Sequence, residues 1–211
     1  MADLEAHSQF ALFLFYGLPA PAQSEDVNRL TLAYFLISSL DLLHSLSHID
    51  AKQVIDWVYG HQVLPATNFH DSGTCFMGFR GSLSAGVQFS PLGASALVHD
   101  GGHLASTYSA LAILTILGDD LCRVRKHALL VSMRKLQQQD GSFTSVHMGM
   151  EADLRFVYCA EFSQEILNIS KVLASYSISI GGHTQPTSRH PLLHQNLKDN
   201  SDKRQETQET V

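Results

Sequence analysis

The sequence predicts an all-α fold. Long apolar segments rich in helix-forming residues follow one another along the chain, and no segment alternates apolar and polar residues for long enough to form a sheet strand. The 211 residues, of which 45% are hydrophobic, suffice for one domain with a sizeable core, or for one domain and a tail.

Three helices are predicted before the first long connection. An N-terminal helix and its linker occupy residues 1–25. Residues 26–46 are apolar on nearly every face, which is typical of a helix buried between others. Asp50 is a candidate N-cap for a helix that extends to about Val63, and Pro65 ends it.

Three further helices are predicted after the connecting segment 66–101, which is punctuated by Gly, Ser and Pro and is unusually long for a compact domain. They span residues 103–117, about 119–138 and 152–168. Gly118 is expected to close the first of them, and Asp119 or Asp120 to cap the second.

The composition changes near the C-terminus. Lys198–Thr210 is polar or charged throughout, and such a segment cannot offset the entropy lost on ordering. We therefore predict a folded domain over residues 26–168 and a divergent, disordered tail over residues 169–211, of which residues 169–180 are an ambiguous bridge.

A helix, a Gly-Phe turn and another helix occur twice. The two turns are Gly78–Gly81 and Asp140–Phe143, and the helices after them hold Tyr108 and Tyr158. The glycine is expected to supply a positive φ and the phenylalanine to fold back as an apolar plug. Repeated helical hairpins cannot bury their faces alone, so they stack into a solenoid or close into a ring.

The charge balance limits the classes of partner. Lys+Arg 14 against Asp+Glu 20 gives a net charge of -6, which argues against nucleic acid and against an anionic membrane, although a local basic patch can occur in an acidic chain. No apolar stretch reaches the ~20 residues of a spanning helix. Three separated cysteines and no targeting signal favour a soluble protein of the reducing cytosol.

Six short blocks stand in one order along the chain. They are NRLTLAYF at 28–35, QVLP at 62–65, GFRGS at 78–82, ILGDDL at 116–121, QQDGSF at 138–143 and DLRFVYCA at 153–160. Together they resemble the β subunits of protein prenyltransferases, most closely those of type I protein geranylgeranyltransferases. The resemblance runs from about residue 26 to residue 160.

The resemblance implies a fold and an activity. The family folds as an α-α toroid, an inner ring of helices around an apolar funnel, and its β subunit pairs with a helical α subunit. The enzyme transfers a C20 group from geranylgeranyl diphosphate to the cysteine of a C-terminal CaaX motif. A zinc ion makes that cysteine a thiolate.

Five positions match substrate-binding positions of the family. Thr31 stands where a small residue leaves room for the last isoprene unit, and Phe35 and Phe156 match apolar pocket walls. His103 matches a histidine of the acceptor-peptide pocket, and Arg155 an arginine that points into the funnel. The structural alternatives are an ordinary helix threonine, core phenylalanines, a structural histidine at a helix start and a buried ion pair.

The family's zinc ligands, an Asp, a Cys two residues later and a distant His, lie in a second half that has no counterpart here, so we expect no metal ligand in this chain. Asp120 and Cys122 have the literal spacing but no third ligand. The pair His99 and His103, and the loop segment 70–75, are weaker candidates for the same reason.

Two functional hypotheses follow. The chain is a shortened geranylgeranyltransferase β subunit that is not competent alone, or it is a non-catalytic module that binds the α subunit and competes with the full-length β subunit. A terpene cyclase is disfavoured because Asp119–Arg123 fails the DDxxD pattern. A ring cut near its middle also exposes apolar helix faces, so we expect low stability in isolation.

Overall fold

The computed structural model describes residues 3–64, 77–83, 101–147 and 151–179, the last eleven of them by their backbone only. The described residues form six helices and one two-stranded antiparallel ladder. The elements are α1 (Leu4–Tyr16), α2 (Arg29–Leu42), α3 (Ala51–Gly60), β1 (Gln62–Val63), β2 (Gly78–Phe79), α4 (Leu104–Ile116), α5 (Lys126–Arg134) and α6 (Leu154–Ser179). The prediction of an all-α fold is confirmed.

Short 3-10 segments lie on either side of α2, at Ala20–Asn28 and Leu46–His48. The chain divides into two units, Met1–Ser175 and Tyr176–Val211. The features below belong to the first unit. The predicted disordered tail lies outside the described residues from residue 180 onward.

Helix α4 is the centre of the core. Nine of its 13 residues are buried, including side chains on all of its faces. Helices α2 and α3 and strand β2 pack around it. Leu104, Leu111, Ile113 and Leu114 are 0–1% exposed. Because burying a leucine or isoleucine contributes about 1.5–3 kcal/mol, this one helix provides a large part of the hydrophobic stabilisation.

Two predicted helix ends are confirmed. The side chain of Asp50 accepts a hydrogen bond from Gln53 N at 3.0 Å and so caps α3. Gly118 has φ +77°, and Asp119 N donates to Leu114 O at 2.9 Å across the end of α4. This is the Schellman arrangement that a glycine permits.

The predicted cap of α5 is wrong. Asp119 and Asp120 instead accept hydrogen bonds from the backbone N–H groups two residues later, those of Leu121 at 2.8 Å and Cys122 at 2.9 Å. Such Asx turns compete with helix formation. Leu121 has φ +57°, so the chain turns there and the helix begins only at Lys126.

The bounds of three other helices also differ from the prediction. Helix α2 begins at Arg29 because the residues before it form a 3-10 segment, and it ends at Leu42, since His44 has φ +54°. Helix α3 ends at Gly60, because the next residues form β1. Helix α6 continues past residue 168 to Ser179, and no Gly or Pro interrupts the sequence before Gly181.

The two Gly-Phe turns use their glycines differently. Gly141 has φ +88°, as predicted, and the half-buried Phe143 packs against the core. Gly78 lies in strand β2 and does not have a positive φ, so that part of the prediction is wrong. A Cβ there would lie 2.8 Å from Thr107 Oγ1 and 3.0 Å from Gly102 Cα, so close packing requires the glycine.

In the described part of the chain, no helix combines the length and the apolar character that a membrane span requires.

Replacing Gly102 with alanine should destabilise the fold. The new Cβ would lie 2.8 Å from Gly78 Cα and 2.9 Å from Gly78 N, so the backbone of one segment has to move. We expect a loss of about 1–3 kcal/mol in the free energy of unfolding, measured by urea titration. Gly101→Ala is the matched control, because nothing lies within 4 Å of its Cβ. Equal losses in the two variants would contradict this packing.

Stability should fall in mild acid because of His147. Burial, with the positive charge of Lys135 adding to it, lowers the pKa of His147 from 6.5 to about 4. In the unfolded chain His147 therefore binds a proton below pH 6.5, whereas in the folded chain it does so only near pH 4. The free energy of unfolding decreases as the pH falls from 6.5 to about 4. Burial also lowers the pKa of His61, which adds to the same slope.

His147→Gln should make the free energy of unfolding depend less steeply on pH between 6.5 and 4.5, as measured by urea titration at several pH values. Exposed His7 on α1 supplies the control His7→Gln, which should leave the slope unchanged. If the free energy of unfolding of His147→Gln depended on pH as steeply as that of the wild type, His147 would not be the cause of the acid sensitivity.

Candidate functional site

Four aromatic side chains form a continuous strip across three helices. Tyr34 of α2, Tyr108 of α4, and Tyr158 and Phe162 of α6 make up this aromatic strip. Ring centroids are 5.3 Å apart for Tyr34 and Tyr108, 5.4 Å for Tyr108 and Tyr158, and 4.3 Å for Tyr158 and Phe162. The first two pairs are edge-to-face, a favourable geometry for aromatic rings.

The hydroxyl groups of the strip bond to one another. Tyr34 Oη and Tyr108 Oη are 2.8 Å apart, and Tyr108 Oη and Tyr158 Oη are 3.2 Å apart. Burial, followed by the hydrogen bonds to Tyr158 and Tyr34, raises the pKa of Tyr108 far above its usual value. Tyr108 thus stays neutral at physiological pH, and the strip satisfies its central polar group internally.

Two predicted site residues lie at the α2 end of the strip. Thr31 and Phe35 are one turn of α2 apart, on either side of Tyr34 along the chain. Thr31 is half-buried, with its Oγ1 3.5 Å from Ser109 Oγ of α4. Phe35 is 59% exposed, and its ring lies 5.3 Å from that of Tyr34.

Two other predicted residues meet where α4 begins. His103 is the N-cap of α4, because its Nδ1 accepts a hydrogen bond from Ala105 N at 3.2 Å. This contact gives His103 a structural role at the start of the helix. Its ring lies edge-on to that of Phe156, with centroids 5.9 Å apart, and Phe156 is 4% exposed. The structure thus forms two groups, one around the aromatic strip and one around His103.

Arg155 lies on the surface beside the second group. Its guanidinium forms ion pairs with Asp153 at 3.1 Å and Glu151 at 3.3 Å, and lies 5.7 Å from the Phe156 ring centroid. The hydrogen bond to Asp153 is the main cause of the raised pKa of Arg155. Because the Arg155 side chain is 71% exposed, the alternative of a buried ion pair is wrong.

Apolar surface remains exposed beside the aromatic strip. The exposed fractions are 48% for Tyr158, 36% for Val157 and 84% for Leu154, all on α6. With Phe35 on α2, these side chains leave apolar helix surface exposed. Chemically, an uncharged aromatic surface suits a hydrocarbon ligand, since it offers area without desolvating a charge.

A separate cavity of about 580 Å³ lies near the C-terminal end of α1 and the N-terminal end of α2. Its lining includes Tyr16, Asp26, Arg29, Trp57 and His61, and contains none of the predicted site residues.

Candidate metal ligands do not cluster in the described part of the chain, where no group of three His, Cys, Asp or Glu side chains could hold an ion. Asp120 and Cys122 interact with each other: their hydrogen bond is the main cause of a lowered pKa of Asp120 and a raised pKa of the Cys122 thiol. His99 and the segment 70–75 lie outside the described residues.

Sequence reasoning missed the residues of the aromatic strip. Tyr108 and Tyr158 marked the two copies of the internal repeat, but neither they nor Tyr34 were predicted as site residues. A usable signal was present, because tyrosines at corresponding places in repeated helices fall on the same face of the assembly. Phe162 then follows from its position one turn after Tyr158.

Comparison with known proteins gives a consistent result. A family model described as "Prenyltransferase alpha-alpha toroid domain" matches residues 3–182. The chain is 44% identical over 158 residues to the geranylgeranyl transferase type-1 subunit β of Arabidopsis thaliana, covering 75% of this chain and 42% of that protein. It is 35% identical over 154 residues to the corresponding Dictyostelium discoideum subunit, covering 68% and 44%.

The chain therefore spans less than half the length of either curated relative. Among solved structures, it aligns with a Candida albicans protein geranylgeranyltransferase-I complexed with GGPP at a TM-score of 0.44 and 17% identity, covering 89% of this chain and 66% of that one.

Tyr108→Phe should lower the free energy of unfolding by about 1–2 kcal/mol, because it removes the hydroxyl that bonds to both neighbours. Tyr158→Phe is the matched control and should cost less than about 1 kcal/mol, since its hydroxyl makes one bond in an exposed position. Urea titration of both variants measures the difference. A larger loss for Tyr158→Phe would show that Tyr108 is not the centre of the network.

Proposed function

Because the chain belongs to the prenyltransferase α-α toroid family, we propose that it functions as part of a type I protein geranylgeranyltransferase β subunit. Its identity to two such β subunits, over most of its own length, is the observation that carries this proposal. The reaction joins the C20 group of geranylgeranyl diphosphate to the cysteine sulfur of a C-terminal CaaX motif. The carbon–oxygen bond to the diphosphate breaks as the carbon–sulfur bond forms.

The aromatic strip is proposed to hold the hydrocarbon chain of the diphosphate substrate. Three helices contribute aromatic rings within 5.4 Å of their neighbours, which gives an extended apolar surface rather than a point contact. A C20 chain needs such a surface, because its binding energy comes from the apolar area removed from water. The uncharged hydroxyl of Tyr108 adds no desolvation penalty, since it already bonds to two partners.

Thr31 is proposed to set the length of the chain that fits. It lies one turn from Tyr34 and Phe35 on α2, facing Ser109 of α4. Threonine and serine are both small, so a larger side chain at either position would leave less room for a ligand at this end of the strip. The last isoprene unit would occupy that room.

His103, Arg155 and Phe156 are proposed to form the acceptor side of the site. The three residues lie together at the adjoining ends of α4 and α6. An exposed guanidinium can pair with a peptide carboxylate, if it exchanges the exposed ion pairs to Asp153 and Glu151, which are weak in water. Phe156 and His103 supply the adjoining ring surface.

The family resemblance also implies zinc, a helical α subunit and a cytosolic setting. Zinc would make the acceptor cysteine a thiolate nucleophile. The described residues offer no fitting donor set, so we assign none of them to zinc. Their proposed roles are binding and orientation.

The alternative is a non-catalytic module that binds the α subunit and competes with a full-length β subunit. The exposed apolar side chains of α2 and α6, Phe35, Leu154 and Val157, favour it, because a partner protein could cover them. The two functions share the α-subunit partner and differ in zinc content and turnover.

Co-expression with a prenyltransferase α subunit tests both functions. A purified complex that contains one zinc and transfers a geranylgeranyl group to a peptide with a CaaX sequence ending in leucine would support the enzyme. A stable complex without zinc or turnover would support the competing module. Failure to co-purify, with the full-length Arabidopsis relative co-purifying under the same conditions, would contradict both.

Thr31→Trp should change the preferred length of the bound chain from C20 to C15. The indole would fill the space beside Ser109, so the affinity for geranylgeranyl diphosphate should fall roughly 10–200-fold, as expected for mismatched apolar groups in a pocket. Competition against a fluorescent isoprenoid diphosphate measures both affinities. Thr31→Ser is the control and should keep the C20 preference. If Thr31→Trp still preferred the C20 over the C15 diphosphate, the proposed role of Thr31 in chain-length selection would be contradicted.

A further inference from the structure

The cavity near Arg29 has no part in the proposed geranylgeranyl transfer, because its lining contains none of the residues assigned to that reaction. Its volume of about 580 Å³ lies within the range of roughly 300–1,000 Å³ that is typical of small-molecule sites. Residues from the end of α1, the start of α2, α3 and the turn after β2 line it. The cavity therefore lies at a junction of several elements.

Part of the cavity wall is apolar and aromatic. It includes Tyr16, Leu18, Trp57 and Leu83. Tyr16 and Leu83 are 65% and 50% exposed, and the other two are half-buried. A ligand with an apolar body can therefore reach this part of the wall and remove its surface from water.

The same wall contains a positive charge that has no partner of opposite sign. Arg29 is half-buried, and among the described residues its one hydrogen bond is from Nη2 to Phe15 O at 2.6 Å. No carboxylate in that part of the chain lies within 4 Å of its guanidinium. Since a guanidinium has five N–H donors and a carbonyl is neutral, this contact leaves most of the donors and the whole charge unmatched. A partly buried charge without a counter-ion favours the binding of an anion.

The other polar groups around the cavity do not supply that anion. Asp26 is in the lining, and its Oδ2 accepts a hydrogen bond from Ser82 Oγ at 3.2 Å. Burial lowers the pKa of His61, whose imidazole is thus neutral at physiological pH. Buried Arg80 and Asp26 act on that imidazole in opposite directions, so the charge of Arg80 offsets that of Asp26. Arg29 remains as the excess positive charge.

We propose that this cavity binds a small organic carboxylate with an aromatic body. The planar guanidinium of Arg29 can donate two parallel hydrogen bonds to a carboxylate. The aromatic body would lie against Trp57 and Tyr16, which line the same cavity. The proposal is independent of the transferase function, because none of these residues has a role there.

Both parts of this ligand class are needed to match the wall. An inorganic anion would pair with Arg29 but leave the aromatic and leucine surface exposed to water. A neutral aromatic compound would cover that surface but leave the Arg29 charge without a counter-ion. An aromatic carboxylate satisfies both requirements at once.

Tryptophan fluorescence tests the proposal on the full, unaltered chain. Trp57 is the one tryptophan of the sequence and lines the cavity, so its emission reports binding there. Titration with diphenylacetate should change this emission saturably. Diphenylacetamide has the same aromatic body without the charge and should bind roughly five- to twentyfold more weakly, as expected for a lost charge-assisted hydrogen bond at a half-buried site.

Three results with the unaltered chain would overturn the proposal. The first is no saturable change of the Trp57 emission with diphenylacetate. The second is equal affinity for diphenylacetate and diphenylacetamide, since the Arg29 charge would then contribute nothing. The third is equal affinity for diphenylacetate and inorganic phosphate, since the aromatic wall would then contribute nothing.

Variants of Arg29 locate the charge that matters. Arg29→Gln should weaken diphenylacetate binding roughly five- to twentyfold, and Arg29→Lys should weaken it less, because it keeps the charge but loses the planar pair of donors. Lys52→Gln is the matched control, because it removes an exposed positive charge of α3 outside the lining and should leave binding unchanged.

Circular dichroism should show the same helix content in all three variants. Wild-type affinity in a folded Arg29→Gln variant, or equal weakening in Arg29→Gln and Lys52→Gln, would overturn the proposal. If Arg29→Gln does not fold, the comparison of carboxylate and amide on the unaltered chain decides.

Discussion

The packing of α4 against its neighbours is the constraint on which the rest of the structure depends. Its residues Leu104–Ile116 are buried on nearly every side, so other elements must surround it. Gly78 and Gly102 allow β2 to approach the start of α4 closely, and Thr107 Oγ1 accepts a hydrogen bond from Phe79 N at 2.9 Å. Both groups of the candidate site meet this helix, because Tyr108 belongs to α4 and His103 caps its N-terminus.

The same packing leaves the aromatic strip only partly covered, because Tyr34, Tyr108 and Phe162 are half-buried and Tyr158 is exposed. Tyr34 of α2 and Tyr158 of α6 both contact Tyr108 of α4, so three helices contribute to one strip. Covering such a surface with hydrocarbon is favourable at about 25 cal/mol per Å² of apolar area. The exposed fractions of Phe35 and Leu154, 59% and 84%, show how much apolar surface the described helices leave uncovered. Ligand binding and stability are therefore linked, because a ligand that covers this surface stabilises the folded state.

Local sequence signals predicted the helices well and their exact ends less well. Asp50 and Gly118 act as cap and stop as expected, since each has a local mechanism. Asp119 and Asp120 do not cap α5, because each carboxylate accepts a hydrogen bond from the backbone N–H two residues later and so forms an Asx turn. The sequence alone does not show whether an aspartate will form a helix cap or an Asx turn. The aromatic strip joins residues 74 and 50 positions apart, so periodicity within one helix cannot give it, and only the internal repeat relates Tyr108 to Tyr158.

Photoaffinity labelling tests the central claim, that the aromatic strip holds a C20 isoprenoid, most directly. A geranylgeranyl diphosphate analogue with a photoreactive group along its hydrocarbon chain would be irradiated with the purified chain, and the labelled peptides identified by mass spectrometry. We predict label on the peptides that contain Tyr34, Tyr108 or Tyr158, and its loss with excess geranylgeranyl diphosphate. Label confined to α1 or to the cavity near Arg29, with the strip unlabelled, would contradict the claim.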